Sequence, residues 1–184
     1  MWLWVGRLHQ EHEAPARAYL QSQATIWQQQ WSDCSEEIAV FELFNFASLD
    51  LFLRHAADLA GFAGQDQLLA RDYFPNLPWF MFDVWLPAPL VPSQNPPLAS
   101  SHWPIFIGSA PGLVADLAKM KSLSHLALGT APSLYAAMRR DFDHFQKTRT
   151  KIENYDDVIR WIWLGLHDGA TLAMQCNTPM FAAD

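Results

Sequence analysis

A chain of 184 residues with 51% hydrophobic and only 17% charged side chains carries enough apolar surface for one well-filled core, and that composition excludes intrinsic disorder. The formal charge of −7 lies wholly in the first half, where residues 1–92 hold four basic side chains against eleven acidic ones, while residues 93–184 hold eight of each. Such a surface repels phosphate backbones, which argues against nucleic acid as a partner and favours a basic protein.

The opening stretch MWLWVG is apolar for six residues, lacks a basic flank and runs straight into RLHQEHE, so it does not have the form of a signal peptide. Within HQEHE, His9, His12 and Glu13 have the spacing of two or three metal ligands on a helix. Without a distant further ligand a solvated helix start is the simpler reading, and no metal or other cofactor is expected. Over EAPARAYLQSQATIWQQQW, Leu20, Ala24, Trp27 and Trp31 recur at helical spacing and predict an amphipathic helix with a glutamine-rich outer face. EEIAVFELFNF predicts a strand. A helix follows over SLDLFLRHAADLAG, with Ser48 as N-cap, Leu49, Phe52, Leu53, Ala56 and Ala60 facing inward and Gly61 as its stop.

LPWFMFDVWL predicts a second strand, apolar on both faces and therefore central or covered. The longer run FPNLPWFMFDVWLPAPLV has the length of a membrane span, but Pro75, Pro78, Pro87, Pro89 and Asp83 interrupt it, so no membrane insertion is expected. Residues 87–104 contain Pro87, Pro89, Pro92, Pro96, Pro97 and Pro104, which preclude a regular hydrogen-bond ladder and predict an extended loop. The chain therefore reads as a single globular domain over 1–184, with two lobes, 1–86 and 104–184, as a possible subdivision across this loop.

Next comes FIGSAPGLVADL at 106–117, which reads as a strand emptying into a helix and raises the question of a phosphate cradle. GSAPGLVADL has a twin, GTAPSLYAAM at 129–138, each copy following a short apolar run, PIFI or HLAL. Both predict a strand-to-helix corner with Ser109 or Thr130 as N-cap and Pro111 or Pro132 in the first turn. Neither copy has the glycine spacing and following lysine of a phosphate-binding loop, so the corner reading outweighs the anion reading. APSLYAAMRRDFDHFQK and NYDDVIRWIWLGLHDGA complete a helical C-terminal part. In the latter Tyr155, Val158, Ile159, Ile162 and Leu166 form the inward stripe, LHDG closes the helix at Gly169, and Trp161 falls off the stripe, marking either a contact surface or a helix covered on two sides. The expected fold is α/β or α+β, a mixed sheet of about four to five strands flanked by helices.

No catalytic constellation is assembled by spacing alone. Asp141, Asp143 and His144 cluster in sequence, but Asp141 and Asp143 fall on different helical faces and do not form a paired carboxylate site, and the basic residues Arg139, Arg140, Lys147, Arg149 and Lys151 read as a solvated face. Cys34 sits among Asp33, Glu36 and Glu37, which disfavour its thiolate. With Cys176 far away, two reduced thiols in a cytoplasmic protein are the economical reading, although spacing alone leaves a disulfide open. Binding is therefore expected over catalysis. An acidic, aromatic-rich chain has the physical character, without any motif, of immunity proteins that neutralise basic toxins. Glu36, Glu37, Glu42, Asp50 and Asp58 are the candidates for charge steering, and Trp27, Trp31 and Trp103 for anchoring. Two alternatives stand beside this one. The first is a small hydrolase or transferase with its pocket at the 108–113 and 129–134 corners and His125, His144 or His167 as base. The second is a carbohydrate-binding module built on exposed tryptophans.

Overall fold

A computed structural model describes residues 2–8, 13–14, 16–18, 37–42, 46–79, 83–90, 106–129 and 155–183. They form one five-stranded mixed sheet with helices, as the sequence predicts. The strands are β1 (Trp2–Gly6), β2 (Glu37–Glu42), β3 (Asp83–Leu86), β4 (Phe106–Ser109) and β5 (Met180–Ala183), in the spatial order β2-β1-β5-β3-β4. β1 pairs antiparallel with both β2 and β5, β5 pairs antiparallel with β3, and β3 pairs parallel with β4. The first and last described strands thus lie side by side inside the sheet, which draws strands from both sides of the proline-rich stretch.

Among the described residues the longer helices that accompany it are α1 (Phe46–Leu59), α2 (Ala110–Leu123) and α3 (Tyr155–Cys176). Alternation along the strands sorts side chains to two faces. Leu3 and Val5 of β1, with Met180 and Ala182 of β5, point into the main core with Phe52, Leu53 and Ala56 of α1, Leu113, Leu117 and Met120 of α2, and most of α3. Trp4, Val84, Leu86, Ile107 and Phe181 belong to a smaller second cluster with Leu8 and Ala16. Each fully buried leucine or phenylalanine contributes about 1.5–3 kcal/mol relative to exposure.

α3 is the central helix. Residues 161–166 are buried in unbroken succession, all round the helix, because it packs on the sheet on one side and on α1 and α2 elsewhere. Trp161, 3% exposed, is accordingly covered on its far side and presents no contact surface. The helix does not stop at Gly169. It continues to Cys176, and Gly169 is a point of close approach, since a Cβ there would come within 2.6 Å of Leu3 Cδ2 and 3.0 Å of Met180 Sδ. After α3 the chain turns through Asn177, at φ 49°, into β5, an element the helical reading of the C-terminal part does not include.

Other boundaries shift as well. α1 begins at Phe46, which places Ser48 inside the helix, and it ends near Gly61, whose φ of 90° is left-handed backbone suited to glycine. The strand expected over 77–86 occupies only 83–86 among the described residues, with Leu77 and Trp79 buried in the preceding turn. HLAL forms no strand. Leu126 and Leu128 are buried and His125 and Ala127 exposed, an alternation that imitates a strand while the chain turns after α2. The second corner from Thr130 onward, the amphipathic segment 19–31, His9, His12, Cys34 and the basic residues 139–151 lie outside the described residues.

Candidate functional site

The first chemistry to weigh lies at the 106–117 corner. Ser109 is the N-cap of α2, its Oγ accepting from Gly112 N at 3.0 Å, with Pro111 in the first turn, as the sequence predicts. The same hydroxyl donates to Ala88 O. Asn76, 5% exposed, fills the corner: its Oδ1 accepts from Ser109 N at 3.0 Å, and its backbone O accepts from Trp85 Nε1 at 2.7 Å. Asn76 N and Nδ2 donate to Asp116 Oδ2 at 2.7 and 3.2 Å. Glycine is required here by proximity, since a Cβ on Gly108 would lie 2.9 Å from Trp85 Cδ1, and one on Gly112 only 2.5 Å from Asn76 Nδ2. The N–H groups of Ser109 and Gly112 are occupied by internal partners, which supports the reading of the corner as structure.

Asp116 belongs to this network. Burial pushes its carboxyl up to about 6, against the opposing pull of Asn76's two donors and of Lys119. Lys119 in turn clamps the turn that carries Asn76, donating to Tyr73 O at 3.1 Å with its ammonium 3.2 Å from the centre of the Tyr73 ring.

Ser109 is paired with neither of the two described candidate bases, His125 and His167, and the third, His144, lies outside the described residues. His125 lies beyond the far end of α2, about 20 Å away by the rise of a 14-residue helix. His167 instead stacks on Trp163 at 5.0 Å and meets Asp168 Oδ1 at 3.2 Å. A different serine and histidine do meet: His55 Nε2 on α1 lies 3.1 Å from Ser124 Oγ at the C-cap of α2, where Leu126 N also donates to that oxygen. The His125 ring packs edge-on against His55 at 6.3 Å. Burial, then the neighbouring His125, hold the His55 pKa below the ordinary imidazole value, while Asp58 and Asp156 pull it up. Among the described residues no group of three potential metal ligands comes together, and no helix is long and apolar enough to cross a membrane.

The acids named for charge steering divide in a similar way. Asp50 and Asp58 share one face of α1 with Arg54 and Ala57, spaced at i, i+4, i+7 and i+8. Beyond the helix, Gly61 and Gly64, both at positive φ, turn the chain back so that Phe62, Gln65, Asp66 and Gln67 face that surface. The result is a cleft of about 520 Å³ lined by Asp50, Asp58 and Asp66, one cation, Arg54, and the apolar Ala57 and Phe62. Arg54 Nε donates to Asp50 Oδ2 at 2.8 Å, and Gln67 Nε2 donates to Asp50 Oδ1 at 3.1 Å. Asp66 uses Oδ1 to cap the short 3-10 helix Gln67–Asp72 through Leu68 N. Among the described residues no cation pairs with Asp58 or Asp66.

Glu37 and Glu42 stand at the two ends of β2 and are not among the residues lining the cleft, while Glu36, Trp27, Trp31 and Trp103 lie outside the described residues. Asp66 is the acid that sequence reasoning missed, although Gly-Gln-Asp after a glycine-ended helix is a turn-and-cap signature. Trp79, Trp85, Trp161 and Trp163 are buried and Trp4 stacks on Phe181, leaving Trp2, 40% exposed, as the most open described tryptophan. No protein-family model matches the chain, and neither a curated protein nor a solved structure is significantly similar to it.

Proposed function

We propose that the chain is a cytoplasmic protein that binds a basic protein, and that the cleft between α1 and residues 61–67 receives a lysine or arginine side chain of that partner. The carrying observation is the lining of the cleft: three carboxylates surround an apolar floor, and the single guanidinium is already paired with Asp50. Ala57 and Phe62 suit the aliphatic stem of such a side chain, and Asp58 and Asp66 suit its charged head. The excess negative charge of residues 1–92 accelerates encounter with a cationic surface. Neutralising a cationic toxin is the activity such docking would serve.

Titration with oligolysine, followed by isothermal calorimetry, tests the reading. Asp58→Lys with Asp66→Lys should weaken binding by about tenfold at low salt, from two exposed charge contacts of typical size. Glu37→Lys, which is not among the residues lining the cleft, should change it less. Equal binding by the double variant and the parent would refute the cleft as the docking site.

A further inference from the structure

The short 3-10 helix Gln67–Asp72, which continues from the rim of the cleft, leaves two leucines in solvent, Leu68 at 44% and Leu69 at 49% exposure. Neither joins a core cluster among the described residues. Three residues complete one turn of such a helix, so side chains three apart stand in one row. The inward row is Gln67, which reaches Asp50, and the fully buried Ala70. The most open row is Asp66, Leu69 and Asp72: all three are exposed, and Asp66, at its near end, lines the cleft. We propose that this row is the second half of the docking surface and that it takes a basic amphipathic helix of the partner. One cation enters the cleft at Asp58 and Asp66, an apolar side chain covers Leu69 with Leu68 beside it, and a second cation meets Asp72. The inference rests on the docking reading above and specifies its partner.

Spacing and charge select this occupant. At a rise of about 2 Å per residue, Asp66 and Asp72 stand about 12 Å apart along the 3-10 axis, with Leu69 midway. On an α-helix, residues seven apart share one face at about 10.5 Å, with the residue three or four positions on between them. A cation, an apolar residue and a second cation at that spacing therefore meet acid, leucine and acid in order, and flexible lysine stems take up the difference. A second copy of this chain would bring its own carboxylates to the same row and be repelled, as would an acidic segment. Arg71, the cation of the 3-10 helix itself, has its Nε buried, and Lys119 is engaged by the carbonyl and ring of Tyr73. Among the described residues no cation pairs with Asp66 or Asp72.

NMR chemical-shift titration of the intact chain at low salt, with three alanine-based helical peptides, tests this surface. The first carries two lysines seven residues apart and a leucine four residues after the first lysine. The second has alanine in place of that leucine, and the third moves the leucine to the opposite face. The first should bind about four- to tenfold more tightly than the other two, at about fourfold for each methylene-sized piece of apolar surface covered. Leu69→Ser, at an exposed position, should remove most of that gain and leave binding of the second peptide unchanged. Asp72→Asn should weaken the first two peptides by about two- to fivefold, the scale of one exposed charge pair. An unchanged affinity there overturns the placement of the second cation. Equal affinity for the three peptides, or a leucine gain that survives Leu69→Ser, overturns the proposal, while oligolysine binding in the same experiment still supports the cleft. Absence of binding by every peptide and by oligolysine overturns the docking reading and this surface together.

Discussion

Replacing Asp116 by asparagine separates the electrostatic cost of a buried carboxylate from the hydrogen bonds it accepts. Asp116 is 8% exposed, and its pKa rises from 3.8 in the unfolded chain to about 6 in the folded one. Between those values the folded chain holds a proton that the unfolded chain has released, so stability falls as pH rises through this window. A difference of about two pH units corresponds to about 3 kcal/mol, fully present above about pH 6 and absent in acid below the unfolded value. Asparagine is neutral throughout, and its Oδ1 can still accept from Asn76. The gap between the urea-unfolding free energies of Asp116→Asn and the parent should therefore widen by about 3 kcal/mol in favour of the variant between about pH 4 and about pH 7.5. Parallel stability curves, or a parent that gains on the variant as pH rises, would refute the assignment of a costly buried charge. Asp116→Ala provides the control. It leaves Asn76 N and Nδ2 without an acceptor and should be less stable than Asp116→Asn at every pH, by about 1–3 kcal/mol.

Two glycines give further checks by thermal unfolding. Gly112→Ala places a Cβ 2.5 Å from Asn76 Nδ2, and Asn76 cannot yield without disturbing both Asp116 and Ser109. The variant should lose about 1–3 kcal/mol in spite of alanine's better helix propensity, and an unchanged or raised midpoint would contradict the packing of the corner. Gly169→Ala should cost a similar amount by lifting α3 off Leu3, and adding Leu3→Val should recover part of the loss; if the second substitution only adds to the damage, the contact is not the cause.

What the sequence makes legible is whatever depends on neighbours a few residues away. The inward stripe of α1, its end near Gly61, the cap at Ser109 and the core of β3 follow from periodicity and turn chemistry. β1 and β5 escape because each is short and interior to the sheet, and MWLWVG contains too few residues to separate a strand from any other apolar run. Gly169 after His-Asp has the local form of a helix stop, and the reason it is not one lies in Leu3 on a strand at the other end of the chain. Asn76 leaves no local mark either, since its role depends on three groups brought in by β3, β4 and α2. One clue to that network was present. Asp116 interrupts the stripe formed by Leu113, Leu117 and Met120, and an acid on an otherwise buried helix face requires donors from another element.

The placement of charge follows from the same packing. At the start of α2 the N–H groups of Ser109 and Gly112 and Oδ2 of Asp116 are engaged by internal partners. On α1 the arrangement is reversed: Phe52, Leu53 and Ala56 anchor the helix in the core, while Asp50, Arg54 and Asp58 project from its opposite side. The 61–67 turn is held by its own backbone bonds from Phe62 N to Ala57 O and from Gln65 N to Phe62 O. Asp50 is further fixed by Gln67. Carboxylates supported in this way would be in position before a cation arrives, so the proposed docking would not have to order the loop, and the entropic penalty of association would be correspondingly smaller. An acid-lined surface on an untethered loop would have the same charge and would lack that advantage. For this reason Gln67→Ala, which removes no charge, should weaken oligolysine binding if preorganisation contributes, and should leave it unchanged if charge alone does.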